Sequence, residues 1–151
     1  ITAARAVNRT MPIHVAGVLN ELLYKAGVPA GEGKVLLLGW SYKAEVGDPR
    51  ETPAEPLTEA LHSKDIAVAA YDPHLNADDF PEGVEVVSDI GSAEGYDLAV
   101  LVTAHKACQE IDWTSLASRM RNPILYDGRR VLDLNSRENS GWQVHAVGRP
   151  R

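Results

Sequence analysis

A single cysteine, Cys108, is all the chain carries, so an intrachain disulfide framework is excluded. So sparse a use of cysteine also fits a cytoplasmic setting. No apolar run is long enough to span a bilayer and no signal-peptide pattern is present, so no membrane partner is expected. The net charge of −6 at pH 7 repels polyanions and argues against nucleic acid as a partner. The five histidines, His14, His62, His74, His105 and His145, show no metal-ligand spacing, and no metal site is expected. The dinucleotide fingerprint G-x-G-x-x-G is missing too, so NAD is not expected to bind here in its common mode. Internal repeats and low-complexity tracts are likewise absent.

What remains is ordinary in size and unusual in one place. The chain has 151 residues, 44% of them hydrophobic and 24% charged, enough for one domain with a normal core. It starts at Ile1 without a methionine and runs straight into helical pattern, which reads as a piece of a longer protein or a processed product. Residues 2–25 predict one helix, with Val7, Met11, Val15, Val18 and Leu22 along one face. Pro12 either kinks that helix or starts a second segment, and Gly27 is the expected stop. Gly27 to Gly33 is a turn-rich linker. The leading helix is expected to stand apart from the sheet-forming remainder of the chain.

Beyond the linker, strands and helices alternate. Val35 to Leu38 is a continuous apolar run, as in a strand covered on both faces. Thr52 is a suitable N-cap and Pro53 a suitable first residue for a helix reaching Ser63. Further strands are predicted at 66–71, 84–87, 98–102, 124–126 and, at an edge, 142–147. Short helices are predicted at 90–94 and from Asp112 over Trp113, Leu116 and Met120. Such alternation implies an α/β fold: a Rossmann-like, mostly parallel sheet with helices on both faces, preceded by a long helix.

In that architecture the loops after the strands share one edge, where anionic ligands bind. They bring together Tyr42, Lys43 and Arg50, then Asp72, then Thr103, His105 and Lys106, then Asp127, Gly128, Arg129 and Arg130. Five of these are cations, Lys43, Arg50, Lys106, Arg129 and Arg130, a large share for one edge of an acidic protein. Arg matches phosphate in a bidentate fork and Lys supplies a compact charge. Each residue also has a plainer role. Arg50 can pair with Asp48 or Glu51. Lys43 can be merely solvated. Arg129 and Arg130 are adjacent, so one at most is expected to face a ligand. His105 reads as a cap or packing residue before a catalyst, and Asp72, with Pro73 after it, as a strand-ending turn. Cys108 has no base-plus-orienter set and is not read as a nucleophile.

Four motifs occur in order: Gly39-Trp-Ser-Tyr-Lys43 leading to Gly47-Asp-Pro-Arg-Glu-Thr-Pro53, then Tyr71-Asp-Pro73, then Tyr126-Asp-Gly-Arg-Arg-Val-Leu-Asp133, all preceded by Asn8-Arg-Thr-Met-Pro12. Together they resemble the nucleotide-sugar-binding C-terminal domain of the UDP-glucose/GDP-mannose dehydrogenase family, with its linking helix. Tyr42-Lys43, Glu45-Val46 and the Met-Pro pair are more similar to the UDP-N-acetylmannosamine branch than to the UDP-glucose branch. The sequence departs from the family pattern at Gly47, Pro49 and Thr52.

The resemblance implies a division into residues 1–28, a linker and dimerisation helix, and residues 29–151, a UDP-sugar-binding domain. It implies that Tyr42 and Lys43 contact the nucleotide-sugar and that one of Arg129 and Arg130 contacts its diphosphate, with Arg129 preferred. Arg50 is a further candidate contact, although bracing the loop suits it better. It also implies NAD as the cofactor of the whole enzyme, which oxidises the sugar alcohol through a nucleophilic cysteine. No catalytic residue is expected in this chain, which should be inactive alone. Implied partners are a UDP-sugar, an N-terminal domain of the same chain, and a second copy through the leading helix. A non-catalytic nucleotide-binding or assembly module is the alternative.

Overall fold

The computed structural model describes residues 2–147, with side chains from residue 11 onward. Helix α1 (Thr2–Lys25) runs unbroken through Pro12, so the proline starts no second segment. Val7 and the side chains of Asn8, Arg9 and Thr10 lie outside the described side chains. A sheet comes next, made of β1 (Lys34–Leu38), β2 (Ala67–Tyr71), β3 (Val84–Val86), β4 (Leu98–Leu101), β5 (Ile124–Asp127) and β6 (Gln143–Ala146). All neighbouring strands pair in parallel, in the order β3-β2-β1-β4-β5-β6. The predicted edge strand is β6.

β1 sits at the centre because every residue from Val35 to Leu38 is apolar and can be covered from both sides. All four are fully buried. Alternation sends Val35 and Leu37 to one face, where they join Val68, Ala70, Leu98 and Val100. Leu36 and Leu38 go to the other, with Ala69, Ala99, Leu101 and Leu125. The first face is covered by α1 and α2 (Ala54–His62), through Leu19, Leu22, Leu23, Leu57 and Leu61. The second is covered by α3 (Lys106–Gln109), α4 (Trp113–Arg119) and α5 (Leu134–Asn139), with Trp113, Leu116 and Trp142 at its centre. Each such leucine contributes about 2 kcal/mol on burial.

Helix α1 therefore does not stand apart. Its buried stripe is Ala16, Leu19, Leu22 and Leu23, which belongs to the same core as β1. Of the face read from the sequence, Leu22 is buried, Val15 and Val18 are half-buried, and Met11 is 43% exposed. The stripe turned because the sheet offers its own apolar face, and the residues nearest that face settle on it.

Helix starts follow the capping chemistry. Thr52 Oγ1 accepts from the Ala54 N–H at 3.1 Å and donates to the Trp40 carbonyl, so it caps α2 and fastens it to the end of β1. Asp112 caps α4 through the Ser115 N–H. The predicted helix at 90–94 is a 3-10 turn, Ile90–Ser92. Helix α3 falls in the stretch around Cys108 whose alanines read as helical, whereas α5 was not expected, since six residues are too few to show a helical period.

Candidate functional site

The chain leaves β1 toward β2 and β3, then returns to β4 on the other side of β1. The loops after β1 and β4 thus diverge, and a crevice opens between them at the carboxyl edge. Gly39 makes that junction possible. Its φ is +92°, and a Cβ there would meet Thr103 Cβ at 2.5 Å and the Thr103 nitrogen at 2.8 Å. Only glycine lets the two strand ends approach so closely. Thr103 Oγ1 then donates to the Ser41 carbonyl at 2.6 Å and ties the two loops.

Asp72, at the end of β2, organises the edge. Its Oδ2 accepts from the Trp40 and Ser41 N–H groups and the Ser41 hydroxyl, each at 2.8 Å, and from His105 Nε2 at 2.9 Å. Its Oδ1 accepts from the His74 N–H at 2.9 Å, which is the strand-ending turn the sequence suggested. Burial pushes the carboxyl pKa up, but the N–H groups of Ser41, Trp40 and His74, with His105, outweigh it. The pKa lies below the ordinary carboxylate range.

His105 is fully buried at the start of α3, as a packing and cap-position histidine. Its Nδ1 accepts from the Glu45 N–H at 2.9 Å, so that nitrogen carries no proton. Nε2 then bears the hydrogen and donates it to Asp72, which fixes the neutral tautomer. Glu45 is exposed and spans the crevice. One carboxylate oxygen accepts from the Lys106 N–H at 2.6 Å, and the other pairs with His74 Nε2 at 2.7 Å. Glu45, His74 and His105 thus place one donor atom each within 4.8 Å of one another. Sequence spacing hid this set, because its members follow three different strands. The contacts just described join all three residues in one hydrogen-bonded knot.

The predicted contact residues line the outer rim. Tyr42 is 49% exposed and Lys43 is exposed. Among the described residues the Lys43 ammonium and the Arg129 guanidinium form no ion pair. Arg50 takes its plainer role: Nε and Nη2 bond the two oxygens of Asp48 at 2.9 and 3.0 Å. Arg50 holds the Asp48 carboxyl down to about 2. Asp127 is fully buried and gathers the N–H groups of Arg129, Arg130 and Leu132 at 2.7–3.0 Å, a tight loop that leaves both arginine side chains exposed. Arg130, with φ +55°, turns back toward the Val147 carbonyl, while the Arg129 side chain is exposed. Lys106 is exposed beside the Glu45 knot.

NAD does not fit this edge in the common dinucleotide mode. That mode needs a helix starting directly after the first strand, whereas α2 begins only at Ala54. It also needs a free carboxylate at the end of the second strand, and Asp72 is consumed by the protein's own loops. Cys108 is fully buried, and burial pushes its thiol up to about 12, so it offers no thiolate. Among the described residues no helix is long and apolar enough to cross a membrane.

Comparison with known proteins meets this geometry. The profile described as "UDP-glucose/GDP-mannose dehydrogenase family, UDP binding domain" matches residues 36–134. The chain is 33% identical over 132 residues to UDP-N-acetyl-D-mannosamine dehydrogenase of Pyrococcus horikoshii, covering 87% of this chain and 30% of that protein. It is 34% identical to UDP-glucose 6-dehydrogenase of Pseudomonas aeruginosa, covering 87% of this chain and 32% of that one. The crystal structure of NDP-N-acetyl-D-galactosaminuronic acid dehydrogenase from Methanosarcina mazei Go1 superposes with a TM-score of 0.82 at 26% identity, over 98% of this chain and 31% of that one. The chain therefore spans about a third of the length of the relatives it matches.

Proposed function

The chain belongs to the UDP-glucose/GDP-mannose dehydrogenase family, and on that premise we propose that its carboxyl sheet edge binds the UDP part of a nucleotide-sugar. In this reading residues 29–151 form the substrate-binding domain of an NAD-dependent nucleotide-sugar 6-dehydrogenase. Tyr42 and Lys43 hold one end of the ligand and Arg129 its diphosphate. The observation that carries it is a pair of cations, Lys43 and Arg129, on two loops of one edge that form no ion pair among the described residues. β1 and β5 lie two strand spacings apart, which separates those loops by about 10 Å, a span a nucleoside diphosphate bridges. An N-acetylhexosamine is the preferred sugar, in keeping with the Tyr42-Lys43 and Glu45-Val46 pattern. Hydride transfer to NAD and the nucleophilic cysteine are assigned to parts of the full-length dehydrogenase other than residues 1–151. Calorimetric titration with UDP and with UDP-sugars tests the site. Lys43→Ala and Arg129→Ala should each weaken binding about tenfold, the loss of one charge-assisted contact. Unchanged affinity in both variants would remove the assignment.

A second reading, assembly through α1, has its own observation. Met11, Ile13 and Tyr24 stay exposed on that helix, Ile13 at 61% and Tyr24 at 81%. Exposed apolar groups of this kind favour a partner, here a second copy or the N-terminal domain. Light scattering of the chain checks it: a strict monomer at high concentration counts against dimerisation.

A further inference from the structure

We propose that Glu45 is a positioning residue that fixes the Tyr42–Asp48 loop for the ligand, a role that rests on the UDP reading of this edge. The loop's own backbone does little to hold it. Within it, Tyr42 N–H reaches the Asp48 carbonyl at 3.1 Å and Val46 N–H the Lys43 carbonyl at 3.4 Å. Among the described residues, the other hydrogen bonds that fasten its tip pass through Glu45. Glu45 donates its N–H to His105, accepts from the Lys106 N–H with one carboxylate oxygen, and pairs with His74 through the other. These three anchors sit after β2 and β4, the strands that flank β1. The loop is thus clamped from both sides of the crevice.

Two features show that the clamp sets the loop's path. Glu45 has φ +62°, a left-handed conformation that a non-glycine residue keeps only when its surroundings dictate it. Gly47 lies so close to the His74 loop that a Cβ would meet the His74 carbonyl oxygen at 2.2 Å. The anchor beneath is rigid, because His105 is fully buried and held by Asp72 from the other ring nitrogen. Lys43 and Tyr42 lie two and three residues before Glu45, so where these exposed side chains stand depends on where Glu45 is pinned. Without the clamp the ligand must order the loop itself, and affinity falls by that ordering cost.

The test uses the chain of residues 1–151 with UDP as the probe. Glu45→Ala removes both side-chain anchors, while Glu45→Gln keeps an acceptor for the Lys106 N–H. Hydrogen exchange in the ligand-free protein should show the Lys106 amide protected in the natural chain and in Glu45→Gln, and about tenfold less protected in Glu45→Ala. UDP affinity should fall about tenfold in Glu45→Ala and no more than about threefold in Glu45→Gln. The proposal is overturned if Glu45→Ala binds UDP unchanged while Lys43→Ala does not. It is also overturned if both Glu45 variants lose equally, since the effect would then be charge at the edge and not loop position. Should Lys43→Ala leave UDP binding intact, the UDP reading fails, and the Lys106 exchange rate alone decides whether Glu45 holds the loop.

Discussion

Removing the Asp72 carboxylate should cost more than any other single change at the sheet edge. The residue is 6% exposed, and four donors converge on Oδ2 with a fifth on Oδ1. In Asp72→Asn the amide oxygen must take the crowded position, which turns the new N–H group toward the His74 N–H. One bond is lost and the rest become neutral, a cost of about 2 kcal/mol. In Asp72→Ala the N–H groups of Trp40 and Ser41 and the His105 ring lose their acceptor in a buried place, a cost of about 4 kcal/mol. For a chain of this size that is a fall in Tm of about 10 °C. Urea titration measures it as a lower midpoint at unchanged slope. A loss under about 1 kcal/mol for Asp72→Ala would refute the claim that this carboxylate organises the edge. No measurable loss in Asp72→Asn would refute the claim that its charge matters. The pH dependence has a definite sign. Because folding lowers this carboxyl pKa, its contribution is full above the unfolded value of about 3.9 and is lost as pH falls through the folded value. The gap between the natural chain and Asp72→Asn should therefore be constant from about pH 5 to 7 and close in more acid solution.

Gly39→Ala should destabilise the chain by about 3 kcal/mol, since a Cβ at φ +92° would press on Thr103; denaturant melting checks it. Arg50→Ala should weaken UDP binding less than Lys43→Ala, because Asp48 already neutralises the Arg50 guanidinium; parallel calorimetric titrations decide the order. Cys108 should resist a thiol reagent at pH 8 in the folded chain and react on denaturation, its thiol being buried and pushed up to about 12; a colorimetric thiol assay with and without denaturant reads this.

Sequence determined whatever depends on near neighbours. The unbroken apolar run at 35–38 demanded a central strand, since no other placement buries four such residues in a row. Thr52 and Asp112 announced their helices, because a cap acts within three residues of itself. The rim cations were legible as a set once parallel strands were inferred, since that topology puts every loop after a strand on one edge. Tertiary structure alone decided which face of α1 is buried, because Leu19 and Leu23 answer to a sheet the helix cannot see. It alone made Asp72 a hub, paired Arg50 with Asp48 over its other acidic neighbour Glu51, and joined Glu45 to His74 and His105. Apart from the local Arg50–Asp48 pair, those contacts link loop residues 29 to 61 positions apart, and no periodicity or motif spacing carries information across such distances.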